Sequence, residues 1–172
     1  MLAFLTVGST RFDILIASAF TPRFLSALQR KGYSNLVIQC GNSSFELATE
    51  IQHGETRTLD RAEVHIEYWK FKPSLQEEYE RADLVISHAG SGTILDVLRM
   101  GKPMIVVPNP TLADNHQEEL ATELESMQHL RSATVESLPE VVEQFDASHV
   151  KPFPPFDGSR FARIVDEAMG FI

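Results

Sequence analysis

The sequence is poor in cysteine, in basic residues and in long hydrophobic runs. Its single cysteine, Cys40, excludes an internal disulfide and a cysteine-based metal site, so we expect a buried thiol in a reducing compartment. No apolar stretch approaches the ~20 residues of a membrane-spanning helix. The apolar N-terminal segment has no basic leader and turns to Gly8 after seven residues, which predicts a first strand and not a signal peptide.

Acidic residues outnumber basic ones by 24 to 15, which gives a formal net charge of −9 at pH 7. Nucleic acids and anionic membranes repel such a molecule as a whole. We therefore expect no nucleic-acid partner and no direct membrane insertion, and any phosphate group must be bound locally. The 172 residues are enough for one domain with its own core.

Two common nucleotide-binding motifs are absent as well. No Gly-x-Gly-x-x-Gly follows the first predicted strand, and no Gly-x-x-x-x-Gly-Lys-Ser/Thr occurs in the sequence. A dinucleotide-dependent dehydrogenase is therefore disfavoured, and so is a P-loop nucleotide-binding protein.

What the sequence does contain is a buried strand that runs through glycines directly into a helix, over residues 82–96. Residues 88–93 join this strand to the helix and are called the second turn here, because a similar turn lies earlier in the chain. They include Gly90 and Gly92, which permit positive φ and close backbone approach. The helix that follows begins with unpaired amides at the positive end of its dipole, which suits a phosphate or pyrophosphate. The alternative is a plain tight turn in which Ser91 or Thr93 caps the helix.

A similar small-residue turn, residues 8–10 and here called the first turn, follows the predicted strand 2–7. A third loop, residues 108–117, leaves the apolar strand 104–107. In a doubly wound sheet, ligands bind beyond the carboxyl ends of the strands. The sequence therefore predicts that these three loops line one crevice.

Strands and helices alternate along the chain, which predicts a parallel sheet covered by helices on both faces. Further strands are predicted at 35–40, 64–71, 83–87 and 133–135, with a polar irregular connection at 53–61. Thr21 is the expected N-cap of a helix that begins at Pro22. The predicted helices are 12–19, 22–31, 43–51, 74–81, 93–100, 115–129 (with Asp114 as N-cap) and 139–145.

The C-terminal tail differs in character from the rest of the chain. Residues 150–156 form a proline-aromatic linker, and residues 159–171 have the apolar spacing of a final helix. We expect a Rossmann-like domain over 1–148 and a separate linker and helix over 149–172. This helix either docks on the same domain or clips a partner.

Taken together, the segments 4–13, 37–41, 86–93, 101–103 and 114–117 resemble the nucleotide-sugar-binding half of B-type glycosyltransferases. Within that family, the chain is most similar to the small soluble subunits of two-part UDP-N-acetylglucosamine transferases, which add the second sugar of the dolichol-linked N-glycan precursor. The resemblance extends to residues 151–154 in the tail. It implies an α/β, Rossmann-like doubly wound parallel sheet, with a C-terminal helix after a proline-rich linker.

The resemblance also implies which residues bind the UDP-N-acetylglucosamine donor. The first turn would lie near the pyrophosphate, and the second turn would donate hydrogen bonds to it. A carboxylate one helical turn after the second turn would bind the ribose. The third loop would bind the sugar, and its glutamine is the strongest candidate for that contact. In this sequence the implied residues are Gly8, Ser9, Thr10, His88, Gly90, Ser91, Gly92, Thr93, Asp96, Asn115, His116 and Gln117.

Several of these residues have ordinary structural alternatives. Asp96 could be an acid favoured by the helix dipole, and Asn115 and His116 could be capping or loop residues. His88 is a candidate proton-transfer residue, or else a loop histidine that holds the backbone. Arg11 could contact phosphate or lie on the surface.

The implied reaction is inverting β-1,4 transfer to a lipid-diphosphate-linked N-acetylglucosamine. No Asp-x-Asp motif is present, so we expect no metal and no cofactor, with helix amides stabilising the departing UDP. A general base is not identified. A membrane-anchored partner would supply the acceptor-binding half and recruit this cytosolic chain to the endoplasmic reticulum. One alternative is a non-catalytic UDP-sugar-binding or regulatory module. A UDP-sugar epimerase fragment is a less favoured alternative, because epimerases normally have a longer chain.

Overall fold

The computed structural model describes residues 1–51, 54–111 and 116–155, together with 157, 159, 163, 167 and 169. These residues form the strands β1 (Leu2–Thr6), β2 (Asn35–Gln39), β3 (Thr56–Arg61), β4 (Val64–Trp69), β5 (Leu84–His88), β6 (Met104–Val107) and β7 (Arg131–Ser132). The helices are α1 (Asp13–Ala19), α2 (Pro22–Arg30), α3 (Gln76–Arg81), α4 (Ser91–Arg99), α5 (His116–Ser126) and α6 (Leu138–Gln144). None of the helices within this described part is long and apolar enough to cross a membrane.

The strands form one sheet in the order β3-β4-β2-β1-β5-β6-β7. All neighbours run parallel except β3 and β4, which are antiparallel. At the centre, Phe4 of β1 lies opposite Val37 of β2 on one side and Val85 of β5 on the other. The predicted Rossmann-like α/β fold is confirmed, with an antiparallel strand added at one edge.

Helices cover both faces of the sheet, because alternate residues of a strand point to opposite sides. Leu5 packs into the core that includes residues of α1, α2 and α6. The preceding residue, Phe4, packs into the core that includes residues of α3, α4 and α5. This double covering leaves the carboxyl ends of the central strands to loops, and the first turn, the second turn and the third loop follow those ends.

Two local predictions are confirmed in detail. Thr21 caps α2, since its Oγ1 accepts a hydrogen bond from Phe24 N at 3.4 Å, and Pro22 begins the helix. Cys40 is fully buried, and burial raises the pKa of its thiol to about 12. A thiol of this kind packs as a small apolar side chain.

The irregular connection predicted at 53–61 is wrong, because Thr56–Arg61 forms the edge strand β3. The two strands β3 and β4 are joined by a two-residue turn in which Ala62 and Glu63 have φ of 51° and 59°. Such turns normally carry Asn or Gly, so Ala-Glu gave no hairpin signal. The strand itself is polar and exposed and therefore lacks the alternation of a half-buried strand.

The helix predicted at 43–51 is also wrong, since only a single 3-10 turn, Ala48–Glu50, is helical there. Ser43 Oγ instead accepts a hydrogen bond from Phe12 N at 3.0 Å. The start of the segment is thus tied to the entrance of α1, and this tertiary bond overrides the local helical preference.

The remaining elements match the predictions to within a few residues, with the largest change at the last strand. This strand is Arg131–Ser132 and not 133–135, although Ala133 N still donates to Val106 O at 2.9 Å. The N-cap predicted at Asp114 lies outside the described residues.

The beginning of the tail packs against the domain. Lys151 N donates to Gln128 O at 2.8 Å, and His129 Nδ1 donates to Lys151 O at 3.1 Å. The ring of Phe153 lies edge-on to His129, with 5.2 Å between centroids. Residues 159, 163, 167 and 169 have helical backbone and are exposed, and the rest of the predicted final helix lies outside the described residues. The proposed domain boundary stays a prediction.

Candidate functional site

The second turn joins β5 to the N-terminus of α4. Gly90 is the N-cap residue, and Ile94 N donates the first intrahelical bond to Gly90 O at 3.0 Å. The amides of Ser91, Gly92 and Thr93 therefore precede the helical ladder, at the positive end of the dipole. Because the N-cap position belongs to Gly90, the alternative in which Ser91 or Thr93 caps the helix is wrong.

The glycines of the second turn are needed for their size and not for left-handed backbone, since neither Gly90 nor Gly92 has positive φ. A Cβ atom on Gly90 would lie 2.3 Å from Nε2 of His88. His88 is only 5% exposed, so its ring has little room to move away. Gly90 is therefore required by the histidine beside it.

Gly92 has no such neighbour. Outside its own helix and chain neighbours, a Cβ atom added there would meet none of the described atoms within 4 Å, and the residue is exposed. Glycine inside a helix costs about 1 kcal/mol relative to alanine. The described structure gives no internal reason for glycine at this position, so the open space at the helix start is available to a ligand.

The first turn, in contrast, uses most of its polar groups internally. Gly8 has φ of 58°, and its amide donates to Thr6 Oγ1 at 3.1 Å. Both the amide and the hydroxyl of Thr10 donate to Val7 O, at 3.1 and 2.7 Å. Ser9 is the exposed residue of this turn. The geometry therefore presents Ser9 to a ligand, while Gly8 and Thr10 shape the turn.

A buried amide, Gln39, holds the first turn from below. Its Oε1 accepts a hydrogen bond from Thr6 Oγ1 at 2.6 Å, and its Nε2 donates to Gly8 O at 2.9 Å and to Lys70 O at 2.8 Å. Gln39 is 1% exposed. The network links the carboxyl ends of β1, β2 and β4, and so fixes where the first turn lies.

The imidazole of His88 lies between the two turns. A Cβ on Gly8 would approach its Cε1 to 2.9 Å, just as one on Gly90 would approach Nε2. Its Nδ1 is buried and has no hydrogen-bond partner among the described residues. Burial lowers the pKa of His88, and the nearby backbone of Thr6 opposes that shift in part. The ring is therefore neutral at pH 7 and acts as a spacer that joins the turns.

The third loop is tied to Arg11, the residue after the first turn, through a buried asparagine. Asn109 is 4% exposed, and its side-chain Nδ2 donates to Arg11 O at 3.0 Å. Its backbone N–H donates to Gln117 Oε1 at 3.0 Å. Gln117 is thereby anchored at the start of α5. His116 is exposed, and Asn115 lies outside the described residues. The structure thus brings the three loops to one edge of the sheet.

The remaining sequence candidates lie beside these loops. Asp96 is exposed and follows Gly92 by one helical turn, which places both on the same face of α4. The guanidinium of Arg11 is paired with Asp13 at 2.6 Å, and this bond lowers the pKa of that carboxyl. The guanidinium also donates to Ser44 Oγ at 3.3 Å, so in this structure Arg11 joins the start of α1 to the segment after β2.

Sequence reasoning missed Gln39, Asn109 and Gly41, all of which support the site from within. Gly41 has φ of 54°, and a Cβ there would lie 2.9 Å from the carbonyl oxygen of Gly8. The available signals were a polar amide at the end of an apolar strand and an asparagine between two prolines. Neither pattern distinguishes a buried amide from an ordinary loop residue.

A doubly wound sheet with small-residue turns and a helix N-terminus at its carboxyl edge is the architecture of the donor half of B-type glycosyltransferases. Residues 2–167 match the glycosyltransferase family 28 C-terminal domain, and the chain belongs to that family. The resemblance inferred from the sequence is thereby confirmed at the level of the family and the fold.

Relatives named UDP-N-acetylglucosamine transferase subunit ALG13 are similar to this chain. The human protein is 42% identical over 74% of this chain, but the match spans only 10% of the human protein's length. The protein of Cryptococcus neoformans var. neoformans (strain JEC21) is 35% identical, with 96% of this chain and 95% of that protein aligned.

Solved structures agree with the fold. The NMR solution structure of ALG13 superposes with a TM-score of 0.66 at 26% identity, covering 95% of this chain and 93% of that chain. The crystal structure of Acinetobacter baumannii MurG gives a TM-score of 0.60 at 24% identity, covering 86% of this chain and 42% of that one. The second likeness shows the fold alone.

Proposed function

We propose that this chain is the donor-binding subunit of a UDP-N-acetylglucosamine transferase that adds the second N-acetylglucosamine to a dolichol-diphosphate-linked N-acetylglucosamine. The reaction inverts the anomeric carbon and forms a β-1,4 linkage. The observation that carries this proposal is the open N-terminus of α4 at Gly92, which follows the carboxyl end of β5 in a family 28 domain. The names of the aligned relatives support the choice of donor.

The donor diphosphate binds at the second turn. Amides of Ser91, Gly92 and Thr93 donate to its oxygens, and the helix dipole favours the negative charge. As the bond from the sugar to UDP breaks, charge grows on the leaving diphosphate, and fixed donors stabilise it without reorganisation. We propose that this arrangement replaces a metal ion.

The ribose and the N-acetylglucosamine of the donor are bound on either side of the diphosphate. Asp96 accepts hydrogen bonds from the ribose hydroxyls. Gln117 binds the sugar through its Nε2 hydrogens, because its Oε1 already accepts from Asn109 N. His116 and Asn115 complete the sugar contacts.

The general base comes from elsewhere. His88 is buried against both turns and lowered in pKa, which suits a positioning residue and not a proton acceptor at the acceptor hydroxyl. We propose that a membrane-anchored subunit binds the lipid-diphosphate acceptor and supplies the base. The complex would assemble on the cytosolic face of the endoplasmic reticulum, with the 149–172 tail as a clip.

The test is transfer of radiolabelled N-acetylglucosamine from UDP to a lipid-diphosphate-linked N-acetylglucosamine, by the chain alone and with membranes that contain the partner. Transfer only with the partner, and insensitive to chelator, is the expected result. Retained UDP-sugar binding without transfer in either setting would favour a non-catalytic module. Activity lost with chelator and restored by Mn²⁺ would overturn the metal-free mechanism. Complex formation unchanged by truncation after Ser148 would remove the tail from its role as a clip.

A further inference from the structure

A cleft of about 540 Å³ opens beside the donor site, at the carboxyl ends of β6 and β7. Its walls come from the start of α1, the residues 108–110, one side of α5 and the segment 132–137. Among the described residues that line it, none belongs to the first or second turn, and Asp96 is not included. The cleft is therefore separate from the proposed diphosphate and ribose contacts.

The cleft nevertheless adjoins the place proposed for the donor sugar. Asn109 and Gln117 both line it, and the hydrogen bond from Asn109 N to Gln117 Oε1 fixes their relative positions. Asn109 is in turn bonded to Arg11 O. A molecule in this cleft would lie next to whatever Gln117 binds.

The lining has the chemistry of a site for a neutral sugar. It offers the hydroxyls of Thr122, Thr134 and Ser137 beside apolar surface from Ile14 and Val135. A pyranose has hydroxyls at its rim and apolar C–H faces, and a site with a few polar groups on an apolar wall complements both. The described lining residues include no lysine, arginine or histidine, so the cleft is unsuited to phosphate.

Carboxylates add hydrogen-bond acceptors at the cleft. Glu125 is held in place, since its Oε1 accepts from Ser132 N at 3.0 Å and lies 3.4 Å from Arg131. Glu118 and Glu136 also line the cleft and are exposed. Ionised carboxylates only accept hydrogen bonds, which matches the hydroxyl donors of a sugar and repels a diphosphate.

We propose that this cleft binds the sugar of the acceptor, a neutral N-acetylhexosamine, while the acceptor's diphosphate remains outside. The inference rests on the proposed function and deepens it, because the acceptor hydroxyl would then approach the donor sugar from the side of Gln117. This chain would contribute to acceptor binding as well as to donor binding.

The first test is kinetic and uses the assembled complex with a variant that fills the cleft. Thr122→Trp is expected to raise the KM for the lipid-linked acceptor about tenfold, while the affinity for UDP is unchanged. Glu123→Trp, on the neighbouring exposed position outside the cleft, is the matched control and should leave both unchanged. A Thr122→Trp complex with unaltered acceptor KM would overturn the proposal. So would a loss of subunit assembly, which would make the cleft a partner contact.

The second test uses the full chain alone and does not depend on transfer. Free N-acetylglucosamine is titrated into ¹⁵N-labelled protein, and amide shifts are expected at Thr122, Thr134 and Ser137, unchanged when UDP is saturating. Shifts confined to the second turn, or no shifts, would overturn the proposal. If these shifts occur while the complex transfers no sugar, the sugar site stands and the proposed function fails.

Discussion

The two glycine-containing turns look alike in sequence but are opposite in construction. The first turn is closed: its amide and hydroxyl groups bond to Thr6 and Val7, and Gln39 holds it from below. The second turn is open: three amides precede the helical ladder, and a Cβ on Gly92 would meet no atom of the described residues within 4 Å outside its own helix and chain neighbours. A turn whose donors are bonded within the protein shapes a site, whereas a turn whose amide donors are unbonded can bind a ligand.

The difference predicts that mutations at the two turns will have different signatures. Changes beneath the first turn should reduce stability, because they disturb packed backbone and buried hydrogen bonds. Changes at the open position of the second turn should leave stability intact and reduce anion binding.

The largest effect is expected for Gly41→Ala, beneath the first turn. The new Cβ would lie 2.9 Å from Gly8 O and 3.0 Å from Thr10 O, at a residue with φ of 54°. Left-handed strain and overpacking together should lower the free energy of unfolding by about 3 kcal/mol. Gly101→Ala, at a residue with φ of 67° whose new Cβ would meet no neighbour within 4 Å in the described part of the chain, should cost only about 1 kcal/mol. Equal losses in urea unfolding would contradict the closed description of the first turn.

A smaller loss is expected for Gln39→Leu, which removes the amide network. Thr6 Oγ1 and the carbonyl oxygens of Gly8 and Lys70 would lose their partner, at a cost of about 2 kcal/mol in unfolding free energy. The affinity for UDP-sugar should fall as well, since the first turn would be less well positioned. Gln29→Leu, which removes an exposed bond to Glu63, should change stability by less than about 0.5 kcal/mol. A loss for Gln39→Leu no larger than that of the control would count against the network.

Gly92→Ala should separate binding from stability. Alanine is the better helix former, and nothing in the described structure obstructs its methyl group, so stability should rise by up to about 1 kcal/mol. The same methyl group would occupy space proposed for the diphosphate, and UDP affinity should fall about tenfold. Calorimetric titration with uridine, which lacks phosphate, is the internal control and should show no change. Unaltered UDP affinity in the variant would argue that Gly92 does not face the ligand.

The smallest effect concerns the histidine between the turns. Burial lowers the pKa of His88 in the folded chain, so the unfolded chain binds more protons below the ordinary pKa of about 6.5. The contribution of neutral His88 to the free energy of unfolding is therefore complete above that pH, and it is lost as the pH falls. Relative to His88→Gln, wild type should lose less than about 1.4 kcal/mol per pH unit. Urea unfolding at about pH 7.5 and about pH 5.5 measures this difference, and parallel profiles would contradict it.

The sequence predicted the central sheet well because its strands are apolar runs closed by turn-forming residues, as in Leu84–His88, which Ala89 and Gly90 follow. It did not reveal β3, whose exposed polar strand and Ala62-Glu63 turn carry no hairpin signal. The positions of the three loops followed from the topology of a doubly wound sheet.

The inner workings of the site could not be read from residue types. Gly90 and Gly92 look equivalent in the sequence, yet one is required by His88 and the other by nothing in the described structure. Gln39 and Asn109 are buried amides, and their roles depend on backbone atoms far away in the sequence. Such contacts arise only when the strands are assembled.

The proposed binding of the diphosphate at the second turn can be tested by NMR titration of the ¹⁵N-labelled chain with UDP and, separately, with uridine. We predict phosphate-dependent shifts at the amides of Ser91, Gly92 and Thr93, with a smaller effect at Ser9 and little at Thr10, whose amide is already bonded to Val7 O. UDP binding that leaves the amides of the second turn unmoved, or moves them equally with uridine, would contradict the claim that the open turn binds the diphosphate.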